Sequence, residues 1–267
     1  CVRRLPSRTR ISEEHTVTIR QHPAAGAPVW IDLMTSDRDA SVAFYTELFG
    51  WTADEPNPGL GGYANFRLDG ETVAGIMTSQ PGMPNSWNVH LAVADAAATI
   101  AAAKAAGAQV LVEAMPVADL GVMGMVLDPG GSAIGLWQPG THRGAVVATT
   151  GAACHFELHT DAYDAVLPFY RDVFGWTLTP QADTPGFRYT LYELGDGENA
   201  GVMDATVFPD DAPRGWTVYL AVDDVQAALD RVVELGGSVS IPAETTPYGV
   251  LAEALDPMGA RFKLRAD

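Results

Sequence analysis

The strongest constraint on the fold of this chain is that its sequence repeats itself. The repeat is clearest between WIDLMTSDRDASVAFYTELFGWT (30–52) and HFELHTDAYDAVLPFYRDVFGWT (155–177), which align without a gap. A second pair of matching segments is WNVHLAVADAAATIAAAKAAGAQV (87–110) and WTVYLAVDDVQAALDRVVELGGSV (216–239). Similarity over spans of this length indicates a duplication, so we expect two similar halves.

Each half contains two units that follow one pattern. A strand ends near an Asp or Ser that can cap a helix, helical periodicity follows, and a glycine ends the helix. The four glycines are Gly50, Gly107, Gly175 and Gly236. Three shorter strands come next, with hairpin turns at DPGG and DPMG in the second and fourth units. The sequence therefore predicts an α+β fold of four β-α-β-β-β modules.

The expected shape of a module indicates where function should lie. One helix covers one face of a short curved sheet, and two modules together can enclose a cleft between their free, concave faces. We expect two domains of two modules each, residues 28–140 and residues 153–267, joined by a linker at residues 141–152. The sequence leaves open whether modules pair within each half or across the halves.

Charge and composition exclude several classes of partner. The net charge is −17, which argues against nucleic acid and against anionic lipid. Residues 1–27 are a basic exception, expected to form a disordered arm. The longest apolar stretch is interrupted by Lys104 and Gly107, and two cysteines make no disulfide framework. The expectation is a cytoplasmic protein, monomer or homodimer, that binds a small molecule.

The repeated motifs resemble those of a known family. FYTELFGW and FYRDVFGW, HLAVAD and YLAVDD, and DPGG and DPMG occur in the same order in both halves. Over residues 28–265 the chain resembles the vicinal oxygen chelate superfamily, which includes glyoxalase I, fosfomycin and bleomycin resistance proteins and extradiol dioxygenases. Within this superfamily it resembles the tandem glyoxalase-like proteins of actinobacteria, which are often labelled hydroxylase and sometimes associated with aromatic polyketide pathways. The resemblance implies two glyoxalase-like domains with concave sheets.

The resemblance also implies where metal ligands would stand. Metal-dependent members carry one ligand near the start of each module's first strand and one in its last strand. Here those positions hold Trp30, Met77, Asn88, Gly135, His155, Met203, Thr217 and Lys263. Only His155 is a usual ligand, and the charge of Lys263 would repel a cation. A divalent metal is therefore disfavoured, and no cofactor is expected.

The strand ACHFELHT (153–160) nevertheless looks like a metal-binding strand. Alternation places His155, Glu157 and His159 on one face. Such residues are roughly 7 Å apart at Cα, which argues against chelation of one ion by all three. Without a metal, His155 and Glu157 become a candidate acid-base pair. An inward histidine is also commonly a structural residue, and that interpretation stays open.

Further candidates surround these two clefts. Tyr219 and Lys263 could donate to a developing oxyanion, and His159 and Met203 are candidate ligand contacts. In the first half, Trp30 offers a flat surface for stacking. The other first-half and rim candidates are Asp32, Asn88, His90, Tyr63 and Tyr189. A filled, inert first cleft is the alternative.

Three functions are compatible with these residues. The first is a metal-independent lyase, isomerase or oxygenase-type enzyme acting on a small planar or aromatic metabolite. The second is a protein that binds such a compound without reaction. The third is a metal-dependent dioxygenase, hydroxylase or lyase with non-standard ligands.

Overall fold

The computed structural model describes residues 24–145, 147–193, 199–210 and 212–267. Most of the predicted basic arm at residues 1–27 therefore lies outside the described residues. The first half comprises helices Arg38–Phe49 (α1) and Ala96–Ala105 (α2) and strands Pro28–Thr35 (β1), Thr52–Ala53 (β2), Ala64–Leu68 (β3), Glu71–Thr78 (β4), Ser86–Ala92 (β5), Gln109–Val117 (β6), Gly121–Leu127 (β7) and Ala133–Pro139 (β8).

The second half repeats this order of elements. Its helices and strands are Tyr163–Phe174 (α3), Val225–Glu234 (α4), Ala153–Thr160 (β9), Leu178–Thr184 (β10), Phe187–Glu193 (β11), Asn199–Asp204 (β12), Gly215–Ala221 (β13), Ser238–Thr246 (β14), Gly249–Leu255 (β15) and Arg261–Ala266 (β16). The prediction of four β-α-β-β-β modules in an α+β fold is confirmed.

The sheets show which modules pair. One eight-stranded sheet has the order β2-β3-β4-β1-β5-β8-β7-β6, and the other has the order β10-β11-β12-β9-β13-β16-β15-β14. The modules therefore pair within each half. At the centre of each sheet the first strands of two modules run antiparallel, with Asp32 opposite Asn88 and Glu157 opposite Thr217. Since paired residues point to the same side of a sheet, the inward residues of both modules share one face.

Helix capping follows the sequence pattern with one exception. The carboxylates of Asp37, Asp95 and Asp224 each accept a hydrogen bond from a backbone N–H in the first turn of the helix that follows. Helix α3 has no side-chain cap, so the capping prediction is wrong there. The carboxylate of Asp161, the nearby candidate, binds Arg214 at 2.7 Å instead. A long-range ion pair has replaced a local cap.

Each half binds the other through a buried tyrosine. The hydroxyl of Tyr45 on α1 donates to Asp256 in the last hairpin of the second half, at 3.1 Å. The hydroxyl of Tyr170 on α3 donates in the same way to Asp128 in the first half, at 2.8 Å. Burial raises the pKa of both aspartates despite these hydrogen bonds. The paired contacts cross between the halves and join them.

Four repeated tryptophans surround these two tyrosines. Trp87 and Trp216 donate through Nε1 to the hydroxyls of Tyr45 and Tyr170. Trp51 and Trp176 donate through Nε1 to the backbone oxygens of Gly151 and Gly26. Trp51, Trp87 and Trp176 are buried and Trp216 is half-buried. These four tryptophans pack in the core around the two tyrosines.

Candidate functional site

A buried carboxylate lies at the centre of the inward face of the second half. Glu157 on β9 is 5% exposed, and its Oε2 accepts hydrogen bonds from the Tyr219 hydroxyl at 2.7 Å and from Lys263 Nζ at 3.0 Å. His159 Nε2 lies 2.6 Å from the same oxygen. Strands β9, β13 and β16, which are adjacent in the sheet, supply these four residues.

The charged groups around Glu157 determine its protonation state. Burial by itself would raise the pKa of Glu157, but Lys263 and His159 together hold it well below its ordinary value. An ionised carboxylate only accepts hydrogen bonds, so His159 Nε2 must carry the hydrogen that points to it. That nitrogen then cannot accept from Lys263, although the two are 3.2 Å apart. Lys263 therefore keeps one N–H that neither Glu157 nor Tyr219 uses.

Glu157 and His159 are in direct contact although they occupy alternate positions of one strand. Their side chains meet at 2.6 Å because both lean toward Lys263 from alternate positions of β9. The spacing at Cα did not limit contact between the tips of two long side chains. His159 is therefore the imidazole that contacts Glu157.

His155 lies nearer the edge of this cluster and is half-buried. Its Nε2 is 3.1 Å from the Tyr189 hydroxyl, and its ring meets the Tyr219 ring edge-on with centroids 5.3 Å apart. Tyr189 reaches the centre of the cleft, whereas the sequence placed it at the rim, because it lies across Gly201, where a Cβ atom would overlap its hydroxyl. Burial and the charge of Glu157 raise the pKa of Tyr189 and of Tyr219.

The donor set of this cleft does not fit a divalent metal. Lys263 Nζ lies within hydrogen-bond distance of Glu157 and Tyr219, where it would repel a cation bound to that carboxylate. Met203, the other last-strand position, lies opposite His159 and offers only a weak sulfur donor. Within the part of the chain that the structure describes, no three His, Cys, Asp or Glu side chains form a metal-binding group.

The first half places another carboxylate at the matching position. Asp32 on β1 is 8% exposed and accepts hydrogen bonds from Asn88 at 2.9 Å and from Tyr63 at 3.3 Å. His90 Nε2 lies 3.0 Å from Oδ2, the oxygen that also accepts from Tyr63. Burial would raise the pKa of Asp32, but His90 and these hydrogen bonds lower it below its ordinary value. The carboxylate is therefore ionised here as well.

Aromatic side chains cover this carboxylate. Trp30 is 5% exposed and donates through Nε1 to the Tyr63 hydroxyl at 2.7 Å. Tyr63 lies across Gly75 as Tyr189 lies across Gly201, so it too reaches the cleft centre from the loop where the sequence placed it at the rim. The ring of His90 lies against Gly135, where a Cβ atom would overlap it. The four positions of this half that correspond to metal ligands in other members offer no good ligand; they hold Trp30, Met77, Asn88 and Gly135.

Two further residues of the first cleft were missed by sequence reasoning. His142, from the segment assigned as a linker, places its ring 4.4 Å from Trp30 and 5.5 Å from Trp137. Trp137 Nε1 donates to the backbone oxygen of His142 at 3.0 Å, which fixes the segment against the sheet. The segment has no repeat partner, so the comparison of halves gave no signal for it.

A charged group in the second half was also missed. Glu253 on β15 is buried, accepts a hydrogen bond from Ser240 at 2.6 Å, and forms an ion pair with Arg261. It lies opposite Lys263 in the sheet. Alternation along β15 could have indicated its inward position.

Cys154 takes no part in either cluster. Its thiol is half-buried and lies 3.5 Å from the backbone oxygen of Tyr219. Burial raises the pKa of Cys154 to about 11, so the thiol stays protonated. Since adjacent residues of a strand point to opposite faces, Cys154 faces away from His155.

Two α+β domains in tandem, each with an open eight-stranded sheet and an inward carboxylate, define a glyoxalase-like architecture. Residues 153–264 match the family model of the Glyoxalase/Bleomycin resistance protein/Dioxygenase superfamily, and residues 28–136 match the model of the Glyoxalase-like domain. The chain belongs to this superfamily.

Known proteins resemble it along nearly its whole length. CFP32 of Mycobacterium bovis, a candidate glyoxylase by its name, is 40% identical over 247 residues, which cover 90% of this chain and 94% of that protein. The anthracycline biosynthesis protein DnrV of Streptomyces peucetius is 39% identical over 260 residues, covering 90% and 93%. The Mn(II)-bound glyoxalase of Novosphingobium aromaticivorans shares the fold with a TM-score of 0.63, 16% identity and coverage of 91% and 84%.

None of the helices in the described residues is long and apolar enough to cross a membrane.

Proposed function

We propose that the cleft of the second half is a metal-independent active centre that binds a small planar metabolite through an oxygen atom and transfers a proton. The observation that supports this most is the position of Lys263, whose ammonium is held 3.0 Å from the ionised Glu157. A fixed cation at the centre of a buried site can stabilise an enolate or phenolate oxygen without a metal ion.

The roles of the side chains follow from their contacts. Lys263 has one N–H left for a ligand oxygen once Glu157 and Tyr219 have accepted the other two. Glu157 already accepts from three groups, so it serves as an anchor that fixes Lys263 and the His159 tautomer. His155, half-buried at the edge of the cluster, is the proton carrier because imidazoles exchange protons near neutral pH. This proposal moves the acid-base role of the predicted pair onto His155 alone.

Two relatives support a planar substrate with an oxygen function. DnrV is named for anthracycline biosynthesis, and anthracyclines contain fused aromatic rings with phenol and carbonyl oxygens. CFP32 carries the name of a glyoxylase. Both names fit substrates with oxygen atoms that a fixed cation can bind.

The alternative is a metal-dependent dioxygenase, hydroxylase or lyase with unusual ligands. The contact between Glu157 and His159 favours it, since a carboxylate and an imidazole 2.6 Å apart could bind one ion if Lys263 moved away. A structural neighbour is a Mn(II)-bound glyoxalase.

Metal content separates these two functions. The protein is incubated with Fe(II), Zn(II), Ni(II) or Mn(II), desalted, and measured by mass spectrometry, beside Lys263→Ala. We expect less than about a tenth of an equivalent in the natural sequence and more in Lys263→Ala, which removes the repelling charge. About one equivalent in the natural sequence, lost in Glu157→Gln, would establish the metal-dependent alternative.

Proton transfer is measured separately on a defined probe. 1,3-Dihydroxynaphthalene is planar and carries two phenol oxygens. Its ring hydrogen exchanges with D₂O through a keto form, and NMR measures the rate of this exchange. We expect His155→Ala to slow the protein-dependent exchange by about 100-fold or more while the melting temperature stays within about 4 °C. Equal exchange rates for the natural sequence and His155→Ala would remove His155 from the mechanism.

A further inference from the structure

The inward face of the first half differs in chemistry from that of the second. Pairing across the sheet puts five methionines on the same face as Trp30; they are Met34, Met77, Met115, Met123 and Met125. All five are half-buried or exposed, whereas the helix-covered side of the sheet is buried. Methionine is flexible and polarisable, and such surfaces adapt to apolar ligands.

A buried acceptor on this face has no donor. His90 is 4% exposed, and its Nε2 carries a hydrogen because it faces the ionised Asp32 at 3.0 Å. In a neutral ring the other nitrogen, Nδ1, is a lone-pair acceptor, and it has no hydrogen-bond partner among the residues that the structure describes. An unsatisfied buried acceptor is destabilising, so a donor from a ligand would be favourable.

A second histidine of this cleft, His142, packs edge-on against two tryptophans. His142 stands edge-on to Trp30 at 4.4 Å and to Trp137 at 5.5 Å, and its buried Nε2 likewise has no partner in the described ranges. Burial and the nearby His90 lower the pKa of His142 to about 4, which agrees with a neutral ring in an apolar place. A different aromatic ring could take this position without breaking a hydrogen bond at that nitrogen.

We propose that the first half carries a second binding site, for a planar and largely apolar aromatic molecule with a hydroxyl group. The molecule replaces the His142 imidazole between Trp30 and Trp137, and its hydroxyl donates to His90 Nδ1. The methionines contact the remainder of the ring system. This site needs no metal and no proton transfer, and it is independent of the function proposed for the second half.

The test is calorimetric titration with 1-naphthol and with its methyl ether, 1-methoxynaphthalene. Both titrations use the Met203→Lys background, in which a long charged side chain obstructs the second cleft. We expect about one equivalent of 1-naphthol to bind, and the ether, which lacks the donor, to bind about tenfold more weakly. No binding of 1-naphthol, or equal affinity for the ether, would overturn the proposal.

Two variants locate the binding on this face. His142→Ala removes the ring that the ligand must displace, so the affinity for 1-naphthol should rise by about tenfold. Met123→Lys places a charge beside Trp137 and should abolish binding. Weaker binding to His142→Ala, or unchanged binding to Met123→Lys, would contradict the assignment. The comparison of 1-naphthol with its ether needs no substitution on this face. It therefore still tests the proposal if His142→Ala or Met123→Lys fails to fold.

A failure of this site and a failure of the second cleft are distinguishable. Ring-hydrogen exchange that depends on His155 would persist in Met123→Lys if only the first site were wrong. Naphthol binding would persist in Met203→Lys if only the second cleft were wrong.

Discussion

The two clefts have the same strand arrangement but different side chains at their centres. Both place an ionised carboxylate, Asp32 or Glu157, at the centre of an eight-stranded sheet. In the first half the last strand contributes Gly135, which leaves room for the ring of His90, and in the second half it contributes Lys263. One position thus decides whether the centre holds an imidazole ring or a lysine side chain. Duplication has preserved the backbone while changing the chemistry that it presents.

The shared carboxylate shows what the frame requires. In each half it lies near the contact of the two modules and binds donors from both of them. Asp32 accepts from Asn88 across β1 and β5, and Glu157 accepts from Tyr219 across β9 and β13. A carboxylate in this position fixes the inward side chains whatever their function, so its recurrence is explained by structure before catalysis.

The largest difference between the clefts should appear when the group that faces each carboxylate is removed. Lys263→Met leaves Glu157 buried without its cation, which we expect to lower the free energy of unfolding by about 3–5 kcal/mol. The matched change, His90→Leu, should cost about 1–3 kcal/mol, because Asp32 loses one hydrogen bond and keeps those from Asn88 and Tyr63. Urea unfolding at pH 7 measures both.

A control tests whether charge is the cause. Lys263→Met combined with Glu157→Gln removes the buried charge together with its partner and should recover part of the lost stability. If the double variant is no more stable than Lys263→Met, or if Lys263→Met and His90→Leu cost the same, the clefts do not differ in the way that their contacts indicate.

A second difference concerns pH. The pKa of His142 is about 4 in the folded chain, against an ordinary value of 6.5. Between these values the unfolded chain binds more protons, so this contribution to stability is complete above pH 6.5 and is lost as pH falls toward 4. His90 is the titratable group that acts on this ring, with Asp32 behind it.

Replacement of His142 should therefore flatten the pH profile. We expect the natural sequence to lose up to about 2 kcal/mol more than His142→Phe between pH 6.5 and pH 4. Glu157→Gln should keep the steep profile in this range, because the pKa of Glu157 lies well below 4.5 and its contribution is lost only in stronger acid. Urea midpoints at four pH values give the comparison, and parallel profiles for His142→Phe and the natural sequence would contradict it.

The sequence was sufficient for the fold because the fold is repetitive. The gapless match of residues 30–52 with residues 155–177 fixed the modules, and the glycines and aspartates at helix ends placed most boundaries. Alternation along β9 correctly put His155, Glu157 and His159 on one face. Periodic information of this kind is local and survives in a single sequence.

The sequence could not predict contacts that depend on how far a side chain extends and which partner it meets. Asp161 looked like a helix cap, but Arg214 from 53 positions away binds it. The meeting of Glu157 with His159 depends on rotamers. His142 comes from a segment with no repeat partner and no periodicity. Each requires knowledge of which residue across the fold competes for the same group.

The smallest difference should come from the tyrosine at the matching position of each cleft, which is Tyr63 in the first half and Tyr189 in the second. Tyr63→Phe leaves the buried Trp30 Nε1 without an acceptor and removes a donor from Asp32, so we expect a loss of about 1–3 kcal/mol. Tyr189→Phe removes a partner of His155, which is half-buried and can bond to water, so the loss should be about 1 kcal/mol. Thermal unfolding of both variants measures the difference. A larger loss for Tyr189→Phe would mean that the second cleft, and not the first, depends on its tyrosine to hold the buried side chains in place.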